Sequence, residues 1–316
     1  MPFLDIDNDR IVSVIECGNI VEIRYLAHQN RRQNIIKLDN DHYMKVRDLY
    51  WDDDTERFLC DEIHEFEHGT DKRDNIAYLS RVCCQFRDMI NCNVTDNRNA
   101  LFLTLTYRQR DNSPEPVPMT DTNRLRYDLN RFVKVLRYHF PNVRYLTACE
   151  PQCSGSWHAH VLLCFDEKAP FIPNSDISKW WGQGFTRTQK IESSVDNVGA
   201  YLTAYLTDIE SPDELGTEKE TIIDGQKVKK KFVKGGRLCF YPMYFHPFRW
   251  SRNCKKPLCR TMKYQWAKLQ VFGLKQTFSK TLSLADGDYH NEIQYEFYNR
   301  KILDSAFCES DFVVNE

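Results

Sequence analysis

The run Trp157-His158-Ala159-His160-Val161-Leu162-Leu163-Cys164-Phe165 places two imidazoles two residues apart in a mostly apolar stretch. It reads as a β-strand. Side chains on a strand alternate, so His158 and His160 project to one face while Ala159 and Val161 point to the other. Two imidazoles on one face of a buried strand are rigid donors for a metal ion, and a neighbour must add a third. Glu150 ends the strand-like stretch that begins with the apolar run Val143 to Cys149, and Pro151 to Ser156 reads as a hairpin turn. An antiparallel partner therefore carries that carboxylate to the start of the histidine strand; Gln152 is an alternative third ligand. HxH pairs also occur on solvated faces, so the pair alone does not separate a metal site from a charged surface.

Downstream, Gly199-Ala200-Tyr201-Leu202-Thr203-Ala204-Tyr205-Leu206 reads as a helix with Tyr201 and Tyr205 four apart on one face. Paired helical tyrosines are usually core aromatics. A phenol is also a competent nucleophile towards a phosphodiester when a metal polarises the phosphate. Two other metal patterns are weaker. His64-Glu65-Phe66-Glu67-His68 matches HExxH, which requires a helix, yet it lies in an acidic, poorly apolar stretch and reads as charged surface. Cys254 and Cys259 lack a second pair to complete a zinc site.

The elements that must position these groups follow from periodicity. Ile11–Ile15 and Ile20–Tyr25 form a hairpin across Cys17-Gly18-Asn19, which Ile35–Leu38 could join. Apolar residues at helical spacing mark a helix from Tyr78 to Cys92 and another from Asn123 to Phe140. Leu101–Tyr107 between them is a strand. A short helix capped by Asn174 or Ser175 runs to Trp181, Gly182-Gln183-Gly184 breaks it, and the strand Phe185–Ile191 comes next. Asp196 then caps the tyrosine helix, and Ser211 to Gln226 reads as a flexible excursion. The order from Leu101 is β-α-β-β-α-β-α, so the expected class is α+β, an antiparallel sheet with a ferredoxin-like core. Three regions are expected: an acidic 1–75 with a small hairpin, a core at 76–210, and a basic and aromatic 211–316.

The net charge of −2 conceals this asymmetry. From Lys227 to Lys263, cations alternate with Phe232, Phe240, Tyr241, Tyr244, Phe245, Phe248 and Trp250, a mixture suited to phosphate neutralisation and base stacking. The cysteines are scattered without CxxC spacing and read as reduced and buried. No run is long and apolar enough to span a membrane, and no signal pattern opens the chain, so a cytoplasmic protein is expected.

Together these motifs resemble the HUH endonucleases that initiate rolling-circle replication, closest to replication-associated proteins of plasmids and single-stranded DNA phages of the gene II and microvirus kind. The resemblance rests on Phe102–Tyr107, on Glu150 with His158-Ala159-His160, on Trp181–Phe185, on Val195–Tyr205 and on Gly236–Pro242. The tyrosines come after the histidines, as in replication initiators; in conjugative relaxases they precede them. The resemblance implies that His158, His160 and Glu150 bind Mn²⁺ or Mg²⁺. It implies that Tyr201, with Tyr205 for a second transfer, forms a 5′-phosphotyrosyl bond with single-stranded or hairpin origin DNA. Candidate DNA contacts are Thr104 and Thr106 of the first motif with Lys190, Lys229, Lys230, Lys231, Lys234 and Arg237. No Walker-type loop is present, so a host helicase and DNA polymerase are expected partners. Oligomeric state is left open. Relatives carry lysine three residues after each tyrosine, where this chain has Ala204 and Asp208. Either Lys190, Arg187 or the Lys227–Arg237 run supplies the missing charge, or activity is weak; the alternative is a DNA-binding protein that no longer nicks.

Overall fold

The computed structural model describes residues 6–27, 33–37, 42–47, 50–52, 57–59, 62–67, 72–108, 118–152, 155–192, 195–207, 209–210, 217–223, 226–233, 241–242, 245–286 and 289–304. They form an α+β protein with two five-stranded antiparallel sheets, smaller strand groups and five α-helices.

The chain opens with the expected hairpin, β1 (Ile11–Cys17) and β2 (Ile20–Leu26). Its turn requires glycine: Gly18 has φ 59°, and a Cβ there would lie 2.3 Å from the carbonyl oxygen of Asn91. Five short strands come next: β3 (Gln33–Lys37), β4 (His42–Arg47), β5 (Tyr50–Asp52), β6 (Arg57–Leu59) and β7 (Glu62–Glu67). The Ile35 run does not join the first hairpin, because β3 pairs with β4 and β4 with β7. His64, Glu65 and Glu67 lie on strand β7, where neighbours face opposite ways, so the helix that an HExxH site needs is absent there; His68 lies outside the described residues.

After them stand α1 (Lys72–Asn93), a 3₁₀ turn at Asn97–Asn99, β8 (Ala100–Thr106) and α2 (Thr122–His139). Asp121 caps α2 by accepting from the backbone N–H groups of Asn123 and Arg124, a contribution of about 1 kcal/mol. Leu125, Leu129, Phe132 and Leu136 form its buried stripe, each contributing about 1.5–3 kcal/mol on burial. The chain continues through β9 (Arg144–Pro151), β10 (Trp157–Cys164), α3 (Asn174–Trp181), β11 (Thr186–Lys190) and α4 (Val198–Thr207).

Two caps differ from expectation. Pro173 precedes α3 without a side-chain cap, because the Asn174 amide instead donates to the Thr186 carbonyl and so ties α3 to β11. At α4 the cap is Asn197, whose Oδ1 accepts from the Ala200 N–H, rather than Asp196. The tail comprises β12 (Ile209–Glu210), β13 (Thr217–Ile223), β14 (Gln226–Val233), β15 (Phe248–Trp250), β16 (Leu258–Lys263), α5 (Tyr264–Gln270), β17 (Leu274–Asp286) and β18 (Tyr289–Leu303). The stretch expected to be an excursion thus holds β13, which pairs with β14.

The sheet that carries the histidines runs β11-β8-β10-β9-β15, antiparallel throughout. Its two faces are covered by different helices. Phe86 and Ile90 of α1 and Leu202 of α4 meet Phe102, Ala148, His160 and Leu162. On the other face Tyr107 donates to Asp128 of α2 and packs edge-on against Trp181 of α3. The second sheet runs β16-β1-β2-β18-β17, so the first hairpin and the last strands are hydrogen-bonded together. Glu296, buried on β18, accepts from Tyr264, Tyr298, Gln294 and Lys268. Burial opposes its charge, but the hydrogen bonds from Tyr298 and Tyr264 and the Lys268 ammonium outweigh it and hold the carboxyl below its ordinary range.

Candidate functional site

The ladders settle which side chains share a face with the histidines. His158 stands directly across from Glu150 on β9 and Thr106 on β8. His160 stands across from Ala148 and Thr104. Residues directly opposite in a sheet point the same way, so His158, His160, Glu150, Thr104 and Thr106 project to the side covered by α1 and α4.

His160 is buried and held from three directions. Its ring stacks on Phe102, with centroids 5.3 Å apart and planes within 5°. Nε2 lies 3.0 Å from Glu150 Oε2, and Nδ1 lies 3.4 Å from the Thr104 hydroxyl. Glu150 is itself buried, so the bond between the two lies in a medium poor in water. Thr106 donates to the Phe185 carbonyl. Both threonines expected as DNA contacts therefore bond within the protein, one of them to the histidine itself.

The donor set of two imidazoles and a carboxylate suits a divalent transition ion. The 3.0 Å between His160 Nε2 and Glu150 Oε2 is close to the spacing of adjacent ligands around an ion bound at about 2.1 Å. His158, half-buried, lies on the same face, with its ring 6.3 Å from that of His160 and turned by 75°. As placed, no three His, Cys, Asp or Glu side chains converge on one point among the described residues. The chemistry of the set fits an ion, and two of the three donors already have its spacing. Cys149, next to Glu150, faces the other way; burial pushes its thiol up to about 12, so it offers no thiolate. Cys254 is buried against Ser251 while Cys259 is exposed, so these two do not form a site.

The tyrosine helix lies on the same face. Leu202 of α4 lines a small apolar crevice together with His160, Phe102 and Phe86. Tyr201, the preceding residue, is 57 % exposed, so its side chain is open to solvent and not a core group. Gly199 makes the close packing possible. A Cβ there would lie 2.4 Å from the Arg87 carbonyl oxygen, and its N–H donates to Asn91 Oδ1. Tyr205 stands one turn later in α4.

The cationic candidates separate by parity. On β11, Arg187 stands across from Thr104, which stands across from His160. The row Arg187, Thr104, His160, Ala148, Phe248 thus crosses all five strands on the histidine face. Arg187 is exposed and two strands from His160, about 10 Å away across the sheet. Lys190 stands across from Leu101 and belongs to the opposite face. Composition ranks the two alike; only pairing register tells them apart. On β14, Lys229 and Lys231 stand across from Glu220 and Glu218, while Lys230 faces Lys219. Lys234, Arg237 and Asp208 lie outside the described residues.

Fold and site together define an α+β protein whose paired histidines, carboxylate and tyrosine helix share one face of an antiparallel sheet. Residues 100–210 match the family model of the replication-associated protein ORF2/G2P, which supports a role in replication initiation. The matched span runs from the first residue of β8 to the last of β12 and contains Glu150, His158, His160, Tyr201 and Tyr205. No curated protein and no solved structure matches the chain. No helix among the described residues is long and apolar enough to cross a membrane.

Proposed function

We propose that this protein is a metal-dependent DNA nickase and strand transferase of the HUH kind that initiates rolling-circle replication. The observation that carries the proposal is the sharing of one sheet face by His158, His160 and Glu150 with the helix that bears Tyr201. The strand order supports it. In β11-β8-β10-β9 the four strands of the βαββαβ unit stand fourth, first, third, second, as in a ferredoxin-like core.

His158, His160 and Glu150 would hold Mn²⁺ or Mg²⁺, with the imidazoles favouring Mn²⁺. When bound, the ion supplies Lewis-acid charge to the scissile phosphate. The rest falls to the chain. Thr104 and Phe102 fix the His160 ring, and Glu150 holds its Nε2 side. The Tyr201 phenol oxygen attacks phosphorus and loses its proton to solvent. The bond from phosphorus to the 3′-oxygen breaks, and that oxygen leaves with a proton as a 3′-OH for a host polymerase. The new bond links Tyr201 to the 5′-phosphate of the downstream strand, and Tyr205 serves a second transfer. Arg187, on the histidine face, stands in for the lysine that α4 lacks at Ala204. Single-stranded or hairpin origin DNA is the substrate, opened by a host helicase.

The test is incubation with 5′- and 3′-labelled single-stranded origin oligonucleotides, with Mn²⁺ or with EDTA, and separation on denaturing gels. A Mn²⁺-dependent protein adduct carrying the 3′ portion of the DNA is expected, and Tyr201→Phe should abolish it. Full capture by that variant would move the nucleophile elsewhere. A second reading, a DNA-binding protein that does not nick, is favoured by the engagement of both His160 ring nitrogens with Glu150 and Thr104. Tight binding without any adduct would establish it.

A further inference from the structure

The face of the sheet opposite the histidines carries a charge pattern that nicking chemistry does not use. Helix α2 contains five arginines or lysines, and its one acidic residue, Asp128, is buried against Tyr107 and Arg124. The outer side of α2 therefore exposes no carboxylate, on a chain whose net charge is −2. Arg131 bonds to the Trp181 carbonyl and Arg124 to Asp128, which leaves Arg126, Lys134 and Arg137 without a carboxylate partner among the described residues.

A fourth cation comes from another element. Arg249 stands across from Thr147, hence on the α2 side of the sheet, and its guanidinium donates to Asn130 of α2. Arg126, Asn130 with Arg249, Lys134 and Arg137 succeed one another at intervals of about 4.5–6 Å along the helix. Burial pushes the Tyr145 phenol up, and the charges of Arg137 and Arg249 oppose the shift. Tyr127 and Tyr138, 69 % and 82 % exposed, stand on the outer side of α2. They are its only exposed large hydrophobic residues, so no aliphatic anchor for a membrane or an apolar partner accompanies the charge.

We propose that the outer face of α2, joined by Arg249 of β15, is a second DNA-binding surface that holds single-stranded DNA outside the histidine site. Arg126, Lys134, Arg137 and Arg249 neutralise backbone phosphates, and Tyr127 and Tyr138 serve as stacking platforms for bases. The DNA passes β15, the sheet edge beside α2, on its way to the histidine face. The proposal rests on DNA being the substrate of that face.

The experiment uses the full chain in EDTA, where no cleavage competes, and measures the anisotropy of a labelled single-stranded oligonucleotide and of a hairpin of equal composition. The variant Arg126→Ser with Lys134→Ser and Arg137→Ser removes only side chains on the outer side of α2. It should weaken single-strand binding at least about 10-fold and lower the salt slope by about 2, since each phosphate contact on a single strand contributes roughly 0.7. Tyr127→Ala with Tyr138→Ala should weaken single-strand binding and leave hairpin binding unchanged. Wild-type binding matched by the triple variant at every salt concentration overturns the proposal. So does a hairpin that binds as tightly as the single strand with no effect of the tyrosine changes. Failure of the wild type to bind in EDTA also overturns it, whereas the Mn²⁺-dependent adduct judges the histidine site independently.

Discussion

Glu150 stands directly across the ladder from His158, yet its carboxylate lies 3.0 Å from Nε2 of His160, one position along the diagonal. The acidic side chain thus stands opposite one imidazole in register and bonds the other, and both members of the bonded pair are buried.

That pairing predicts the effect of removing either partner. Glu150→Ala leaves a buried imidazole without its acceptor and should destabilise the protein by about 1–3 kcal/mol. Glu150→Gln keeps an acceptor but loses the charge, so it should fold well while Mn²⁺ affinity drops at least about 10-fold. Isothermal titration with Mn²⁺ checks this, and wild-type affinity in Glu150→Gln would remove Glu150 from the ligand set.

The packing of α4 rests on a residue with no side chain. In Gly199→Ala the new methyl meets the Arg87 carbonyl at 2.4 Å and Asn91 Oδ1 at 2.6 Å, so helices α1 and α4 must separate. A loss of about 1–3 kcal/mol is expected in urea denaturation. Covalent capture of DNA should fall further than stability explains, because Tyr201 moves with the helix. Unchanged capture in the folded variant would show that the position of α4 does not matter.

Register predicts an inequality between two cations on the same strand. Arg187→Ala should slow adduct formation by about 10-fold or more, by loss of charge beside the phosphate. Lys190→Ala, on the far face, should do much less. Equal effects in single-turnover assays would discard the assignment of Arg187.

The Glu296 cluster sets a pH dependence far from the site. Its carboxyl lies below the ordinary range because Tyr298, Tyr264 and Lys268 overcome the cost of burial. A depressed carboxylate stabilises the fold above its unfolded-state pKa, and that contribution fades as pH falls through the folded value. Wild-type stability should therefore drop on acidification below about pH 4. Glu296→Gln should be less stable at neutral pH and show a shallower acid limb. Parallel pH–stability curves for the two proteins would contradict the account.

Local pattern makes much of this legible without any tertiary contact. A period of two puts His158 and His160 on one face of a strand, and the neighbouring run with its turn brings Glu150 beside them. Helical spacing locates α1 and α2 and the pair Tyr201 and Tyr205. These are properties of alternation and pitch, which each segment carries within itself. The sequence by itself therefore determined the α+β class and the candidate groups of the site.

Register and partner choice belong to pairs of distant segments, and only the tertiary structure decided them. Phe185–Ile191 reads as a strand, but nothing within it tells whether Arg187 or Lys190 shares the histidine face; pairing with β8 does. The acidic HExxH run carries a helical motif, yet its residues 64–67 fold as a strand because β4 supplies the hydrogen bonds. Asp196 has the chemistry of a cap, but it is Asn197 that reaches the Ala200 N–H. The cationic row on α2 is concealed for the same reason. Its residues are scattered among apolar ones in sequence, and they gather only when Leu125, Leu129, Phe132 and Leu136 turn inward and Arg249 arrives from a strand over a hundred residues away. Chemistry is written locally, and the folded sheet decides which of it faces the same way.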